Sequence, residues 1–220
     1  MNFTQQRERM VDTQLRPNAV TDNRILGAML NVPREEYVAS SVREMAYLDE
    51  DLPAGDQTGS GRYLMQAMTF ARLLQLADIS QDDLVLDVGA TGGYTSAVIA
   101  RLCSAVVGLE ASEEAANWAI SNLADQSVDN VAMFVGPLEQ GYADQGPYDV
   151  IVLEGAVHEV PQALFDQLRE GGRLVAVVQE GPVGRATRFE KSGGEISSAV
   201  AFDANIEALQ GFAKQPEFVF

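Results

Sequence analysis

The spacing of apolar residues changes character near residue 80. Before that point it is helical. Ile25, Leu26, Met29 and Leu30 fall on one face, and Asp22 stands where an N-cap belongs. An earlier helix is expected from a Thr4 cap through Leu15, stopped by Pro17. Pro53 and the run AGDQTGSG, from Ala54 to Gly61, read as a flexible loop of turn formers. A further helix is expected from about Leu64 to Leu76, with Met65, Met68, Leu73 and Leu76 as its apolar positions.

Beyond residue 80, short continuous apolar runs alternate with helical stretches. The runs are LVLDV (Leu84 to Val88), AVVGLE (Ala105 to Glu110), VAMFV (Val131 to Val135), YDVIVL (Tyr148 to Leu153) and RLVAVV (Arg173 to Val178). Helices are expected after Gly89 through about Arg101, from a Ser112 cap, and from Pro161 to Leu168, ended by Gly171-Gly172. Unbroken apolar strands joined by helices specify a parallel sheet covered on both faces, with right-handed crossovers and the first strand central. The tail from TRFEK to EFVF alternates more and contains Gly193-Gly194, so hairpin strands should add antiparallel to one edge. The expected fold class is α/β, a doubly wound, mostly parallel sheet in one domain. Residues 1–76 would supply N-terminal helices and a substrate loop, 77–180 a cofactor-binding core, and 181–220 the edge strands.

Composition removes several functions. The chain has 220 residues, 46% of them hydrophobic, enough for a sizeable core. No stretch approaches the roughly 18 to 20 apolar residues that span a bilayer, and MNFTQQRERMVDTQLR has no apolar leader region. A cytoplasmic protein is the expectation. The formal net charge is −17, with Lys191 and Lys214 the only lysines. Such a surface repels phosphate backbones and anionic lipid, so neither nucleic acid nor membrane is expected as a partner. Cys103 is the single cysteine, set in the apolar IARLCSAVV, and His158 is the single histidine. Disulfides, thiolate zinc sites and Cys/His or Ser/His/Asp catalysis therefore have little to stand on, and Cys103 reads as a packing residue.

The candidate chemistry lies after the first strand, in LDVGATGGY (Leu86 to Tyr94). Ligands of such sheets bind beyond the carboxyl ends of the strands. Gly89, Gly92 and Gly93 let the backbone approach a ligand, and the helix that follows offers N–H groups. Glu110 ends the second strand, where a carboxylate can accept both hydroxyls of a ribose. The pattern means a nucleoside cofactor. NAD(P) is the rival, but Asp87 just before the turn would repel a pyrophosphate. The sulfonium and ammonium of S-adenosylmethionine suit Asp87 better. The plainer role for Asp87 is to tie the turn.

Four stretches together resemble the protein-L-isoaspartate O-methyltransferases, class I methyltransferases of Rossmann-like fold. They are RERMVDTQLRPNAVTDNRILGAMLNVPREEYV, AYLDEDLPAG, LVLDVGATGGYTSAVIARL and GPYDVIVLEGAVHEVPQALFDQLREGGRLVAVV. The resemblance implies S-adenosylmethionine as cofactor, and methyl transfer to the free α-carboxylate of isoaspartyl residues in damaged proteins. Protein or peptide bearing isoaspartyl residues is then the partner. The expected cofactor contacts are Asp87, Gly89, Ala90, Thr91, Gly93, Tyr94, Glu110, Ala111, Leu138 and Glu154.

Three departures bear on that reading. Thr91 stands where the family has the middle glycine of its turn, narrowing the methionine pocket. Gly136 is followed by Pro137 and Leu138 where the family has an aspartate and a glycine; Leu138 could still pack on the adenine. The family also has a Gln-Thr-Ile-Ser-x-Pro loop whose serine contacts the substrate carboxylate. Local likeness puts that serine at Ser60, in Gln57-Thr58-Gly59-Ser60. The family's serine, however, precedes the acid of the turn by about 22 residues, which reaches Met65, on the expected helix and facing inward. Arg62 could bind the substrate carboxylate bidentately instead, or be a solvated loop residue. Two alternatives to isoaspartyl methylation stay open: a protein of this fold that binds S-adenosylmethionine or a nucleoside without that activity, and a methyltransferase for another substrate.

Overall fold

The computed structural model describes residues 2–54 and 62–212. The chain enters as α1 (Phe3–Met10), which runs on through a π-helical stretch, Val11–Leu15, and a 3-10 turn, Arg16–Asn18. Its cap is Asn2, not Thr4: Asn2 Oδ1 accepts from Gln5 N at 3.1 Å, and Thr4 already lies inside the helix. Asp22 caps α2 (Asn23–Asn31) as its position suggested, accepting from Arg24 N at 2.8 Å.

A two-stranded hairpin follows, β1 (Leu52–Pro53) with β2 (Tyr63–Leu64), paired Leu52 to Leu64. Leu64 and Met65 are thus not helical, against expectation. The helix α3 (Ala67–Ala77) starts later because Asp51 Oδ1 accepts from Gln66 N at 2.7 Å, tying the helix entry to the hairpin. That partner lies 15 residues back, where periodicity gives no sign of it.

The main sheet begins with β3 (Leu84–Val88), followed by α4 (Tyr94–Ile99), β4 (Ala105–Glu110), α5 (Glu113–Asp125) and β5 (Val131–Val135). Ser112 caps α5 through Ala115 N, as read from the sequence. Next come β6 (Tyr148–Val157), α6 (Gln162–Asp166), β7 (Leu168–Glu180), β8 (Val183–Ser192) and β9 (Glu195–Asp203). The strand order is β5-β4-β3-β6-β7-β8-β9. Pairings from β5 to β7 are parallel, with β3 at their centre; β8 and β9 add antiparallel around Gly193-Gly194. This is the doubly wound, mostly parallel sheet expected from the sequence, with antiparallel edge strands. The helix before β7 is shorter than expected, since Tyr148 N bonds Gln167 O and Leu168 already pairs in the sheet.

Alternation along the central strands builds two cores. Val85, Val150, Val152, Val175 and Val177 face α3, α4 and the N-terminal helices. Leu86, Val88, Leu109, Ile151, Leu153 and Leu174 face α6, Leu138, Leu209 and Phe212. Arg173 of β7 crosses to the end of α3, donating to Ala77 O at 2.5 Å and pairing with Asp83 at 2.6 Å. Among the described residues no helix is long and apolar enough to cross a membrane.

Candidate functional site

The parallel register sets the carboxyl ends of β3, β4 and β6 side by side, Asp87 lying level with Gly108 and Val152. Three carboxylates sit at those ends: Asp87, Glu110 and Glu154, all at most 5% exposed. The turn after β3 bends through positive φ at Gly89, Thr91, Gly92 and Gly93. At Gly92 the need for glycine is steric as well. A Cβ there would lie 2.6 Å from the Trp118 ring and 2.9 Å from Tyr37 O. Thr91, at φ 37°, takes a strained conformation for a β-branched residue and is held by its own Oγ1 donating to Gly89 O at 2.6 Å.

Asp87 is tied to the turn and also left partly open. Its Oδ2 accepts from Thr95 Oγ1 at 2.8 Å and Ser96 Oγ at 2.6 Å. No hydrogen-bond partner reaches Asp87 Oδ1 or either Glu154 oxygen among the described residues. Burial pushes the Asp87 carboxyl up to about 6, against hydrogen bonds from Ser96 and Thr95 that pull it down. Burial, with the Asp87 carboxylate beside it, raises Glu154 well above the carboxylate range.

Glu110 is engaged differently. Arg62 Nη1 donates to Glu110 Oε2 at 2.7 Å and Nη2 to Oε1 at 3.3 Å, and Nη2 also reaches Thr91 Oγ1 at 3.3 Å. The structure therefore brings Arg62 into the cleft rather than leaving it on a solvated loop.

The other expected residues divide. Ala90 is buried in the turn and Ala111 is exposed just past Glu110. Leu138 is buried with Leu86, Val88 and Leu109, while Pro137 is exposed. The Tyr94 side chain is directed into the N-terminal core, packed on Tyr37 and Phe70 with the Arg34 guanidinium 4.9 Å from its ring centre. Met65 is buried, its carbonyl accepting from Arg34 Nη2 at 2.7 Å. It borders a cavity of about 10 Å³ shared with Asp51, Tyr63, Glu154, Gly155, Ile206 and Glu207. Met65 is thus placed inward, but on the connection before α3. Ser60, with Gln57, Thr58 and Gly59, lies outside the described residues. Cys103 is buried and its thiol is pushed up to about 12 by burial, which fits packing and not nucleophilic chemistry.

One participant had no signal in the sequence. After β9 the chain returns across the end of β6, with Ala156 N bonding Glu207 O and Leu209 N bonding Ala156 O. Leu209 then covers the turn: a Cβ on Gly89 would meet its Cδ1 at 2.8 Å, and one on Gly155 its Cβ at 2.9 Å. The hydroxyls of Thr95 and Ser96 were also overlooked, although their place one turn after the glycines was the available clue.

A family model described as Protein-L-isoaspartate(D-aspartate) O-methyltransferase matches residues 5–205. The protein-L-isoaspartate O-methyltransferase of Koribacter versatilis (strain Ellin345) is 36% identical over 209 residues, 95% of this chain and 92% of that one. That of Methanoculleus marisnigri is 40% identical over 174 residues, covering 79% and 77%. A solved protein-L-isoaspartate O-methyltransferase superposes with a TM-score of 0.82 at 26% identity, over 94% of this chain and 67% of that one. A Plasmodium falciparum structure, solved in complex with S-adenosyl-L-homocysteine, gives 0.78 at 21% identity over 93% and 98%, and is similar in fold.

Proposed function

Since the chain belongs to the protein-L-isoaspartate O-methyltransferase family, we propose that it transfers the methyl group of S-adenosylmethionine to the free α-carboxylate of L-isoaspartyl residues in damaged proteins. The observation that carries this reading is the convergence of Asp87, Glu110 and Glu154 at one end of the sheet, with three buried oxygens lacking donors. A cationic nucleoside fits that set; a pyrophosphate would be repelled by it.

In this reading Glu110 accepts the ribose hydroxyls, and Asp87 and Glu154 face the cationic amino-acid end. Leu138 packs on the adenine. Ala90 and Gly93 shape the turn, Thr91 narrows it, and Tyr94 props it from behind. Ala111 borders the ribose from outside. When bound, the cofactor supplies a methyl group already activated by its sulfonium. The substrate carboxyl, with a reference pKa of about 4, is ionised at neutral pH, so no general base is required. The protein's work is alignment and exclusion of water. Met65 and Leu209 present apolar surface there, and Arg62 offers a guanidinium suited to a carboxylate.

The test is methyl transfer from labelled S-adenosylmethionine to an isoaspartyl peptide, compared with the same peptide carrying ordinary aspartate. Label on the isoaspartyl peptide alone is expected; equal label on both, or none with saturating cofactor, would sink the proposal. Met65, apolar where the family's spacing puts its serine, favours a second reading, in which the cofactor binds and turnover on this peptide is absent.

The Asp87 carboxyl gives a pH dependence with a definite sign. Its raised value means that the group is neutral below about pH 6 and anionic above. S-adenosylmethionine affinity is therefore expected to rise between pH 5 and 7, by about tenfold if one proton is released on binding. Asp87→Asn should bind more weakly with a flatter profile. A wild-type profile that is flat, or falls, would contradict this assignment.

A further inference from the structure

Arg62 reaches Glu110 from an element 48 residues away. Its backbone is fixed, since Arg62 O accepts from Ala54 N at 2.9 Å, continuing the β1–β2 pairing. The long side chain then crosses to the sheet, its exposure only 10%, and its fork meets both oxygens of Glu110. A ribose held through both hydroxyls needs those same two oxygens. A carboxylate has about four lone-pair sites, so the conflict is one of space. Arg62 Nη2 stands 3.1 Å from where a Cβ on Gly89 would be, on the glycine floor that a nucleoside must cross. Arg62 and a ribose cannot both lie there.

Resting on the function proposed above, we infer that the ribose and the Arg62 guanidinium exchange places on Glu110, and that the displaced guanidinium becomes the anchor for the substrate's carboxylate. Its fixed backbone confines the movement to the side chain, which turns from the ribose acid toward the mouth of the cleft. There it meets a carboxylate in the geometry that a guanidinium fork matches best. Arg62 is then a positioning residue with two successive partners. Cofactor must enter before substrate, because until it does the anchor is engaged elsewhere.

Titration of the full chain with S-adenosylhomocysteine separates this from the function it rests on. If the intact protein does not bind that ligand, the cofactor reading fails and the exchange with it. If it binds, Arg62→Gln is expected to bind at least tenfold more tightly, because no charged partner has to be displaced; equal or weaker binding overturns the exchange. In the intact protein, an isoaspartyl peptide should bind measurably only with S-adenosylhomocysteine present. Equal binding in its absence overturns the order, and this measurement stands even if the variant does not fold. With saturating S-adenosylmethionine, Arg62→Gln should raise the peptide KM at least tenfold while kcat changes less than twofold, and Arg62→Lys should restore part of the loss. An unchanged KM overturns the anchoring role.

Discussion

Glu110→Ala is expected to weaken S-adenosylhomocysteine binding at least tenfold, read by isothermal titration. Two hydrogen bonds from ribose hydroxyls to an ionised carboxylate are worth about 1.5–3 kcal/mol each. Against that loss stands the removal of Arg62's hold on the same group, which the exchange sets at roughly tenfold, or about 1.4 kcal/mol. The loss is the larger quantity, so the net effect is weaker binding. The same substitution made in an Arg62→Gln background should cost about a further tenfold more, since nothing is then returned; that difference is the coupling between the two residues. Binding by Glu110→Ala within twofold of the intact protein would remove Glu110 from the ribose and leave its pairing with Arg62 purely structural.

The second large effect is on stability. Gly92→Ala is expected to lower the unfolding free energy by about 3 kcal/mol, seen as a shift of the urea midpoint. A left-handed backbone costs a residue with a side chain of order 1–3 kcal/mol, and φ at Gly92 is 68°. The added Cβ also runs into the Trp118 ring and Tyr37 O, at 2.6 and 2.9 Å. Trp118 can shift; Tyr37 O is a backbone atom of the residue closing the 3-10 turn Arg34–Glu36, whose own N–H donates to Arg34 O, and it yields less. A loss under 1 kcal/mol would mean that the turn relaxes easily, and that its glycine serves something other than close packing.

The central strands were legible because they are buried on both faces and so read as unbroken apolar runs, as in Leu84–Val88 and Tyr148–Leu153. Asp22 and Ser112 were legible because a cap acts on residues two or three places ahead. What failed were the choices made by distant partners. Thr4 has a capping side chain, but the backbone path puts it inside the helix and gives the cap to Asn2. Leu64 fits a helical stripe, yet Leu52 captures it in a hairpin and Asp51 delays the helix. The glycine turn and its two acids could be found locally. That Arg62 would lie on Glu110, and that Leu209 would return over Gly89, depends on tertiary closure across many residues. The offset between Ser60 and Met65 shows the same limit: spacing led to Met65 as an inward-facing helical residue, and Met65 is buried but lies before the helix.

Trp118 is the chain's single tryptophan, and its ring lies against the Gly92 bend of the glycine turn after β3. On the function proposed above, the protein carries its own optical reporter beside the cofactor. Any rearrangement of that bend alters the surroundings of one indole and no other, so intrinsic fluorescence can follow ligand entry in real time without a label. A tyrosine or phenylalanine at 118 would silence that signal, giving a background on which a tryptophan introduced elsewhere could watch a different part of the cleft.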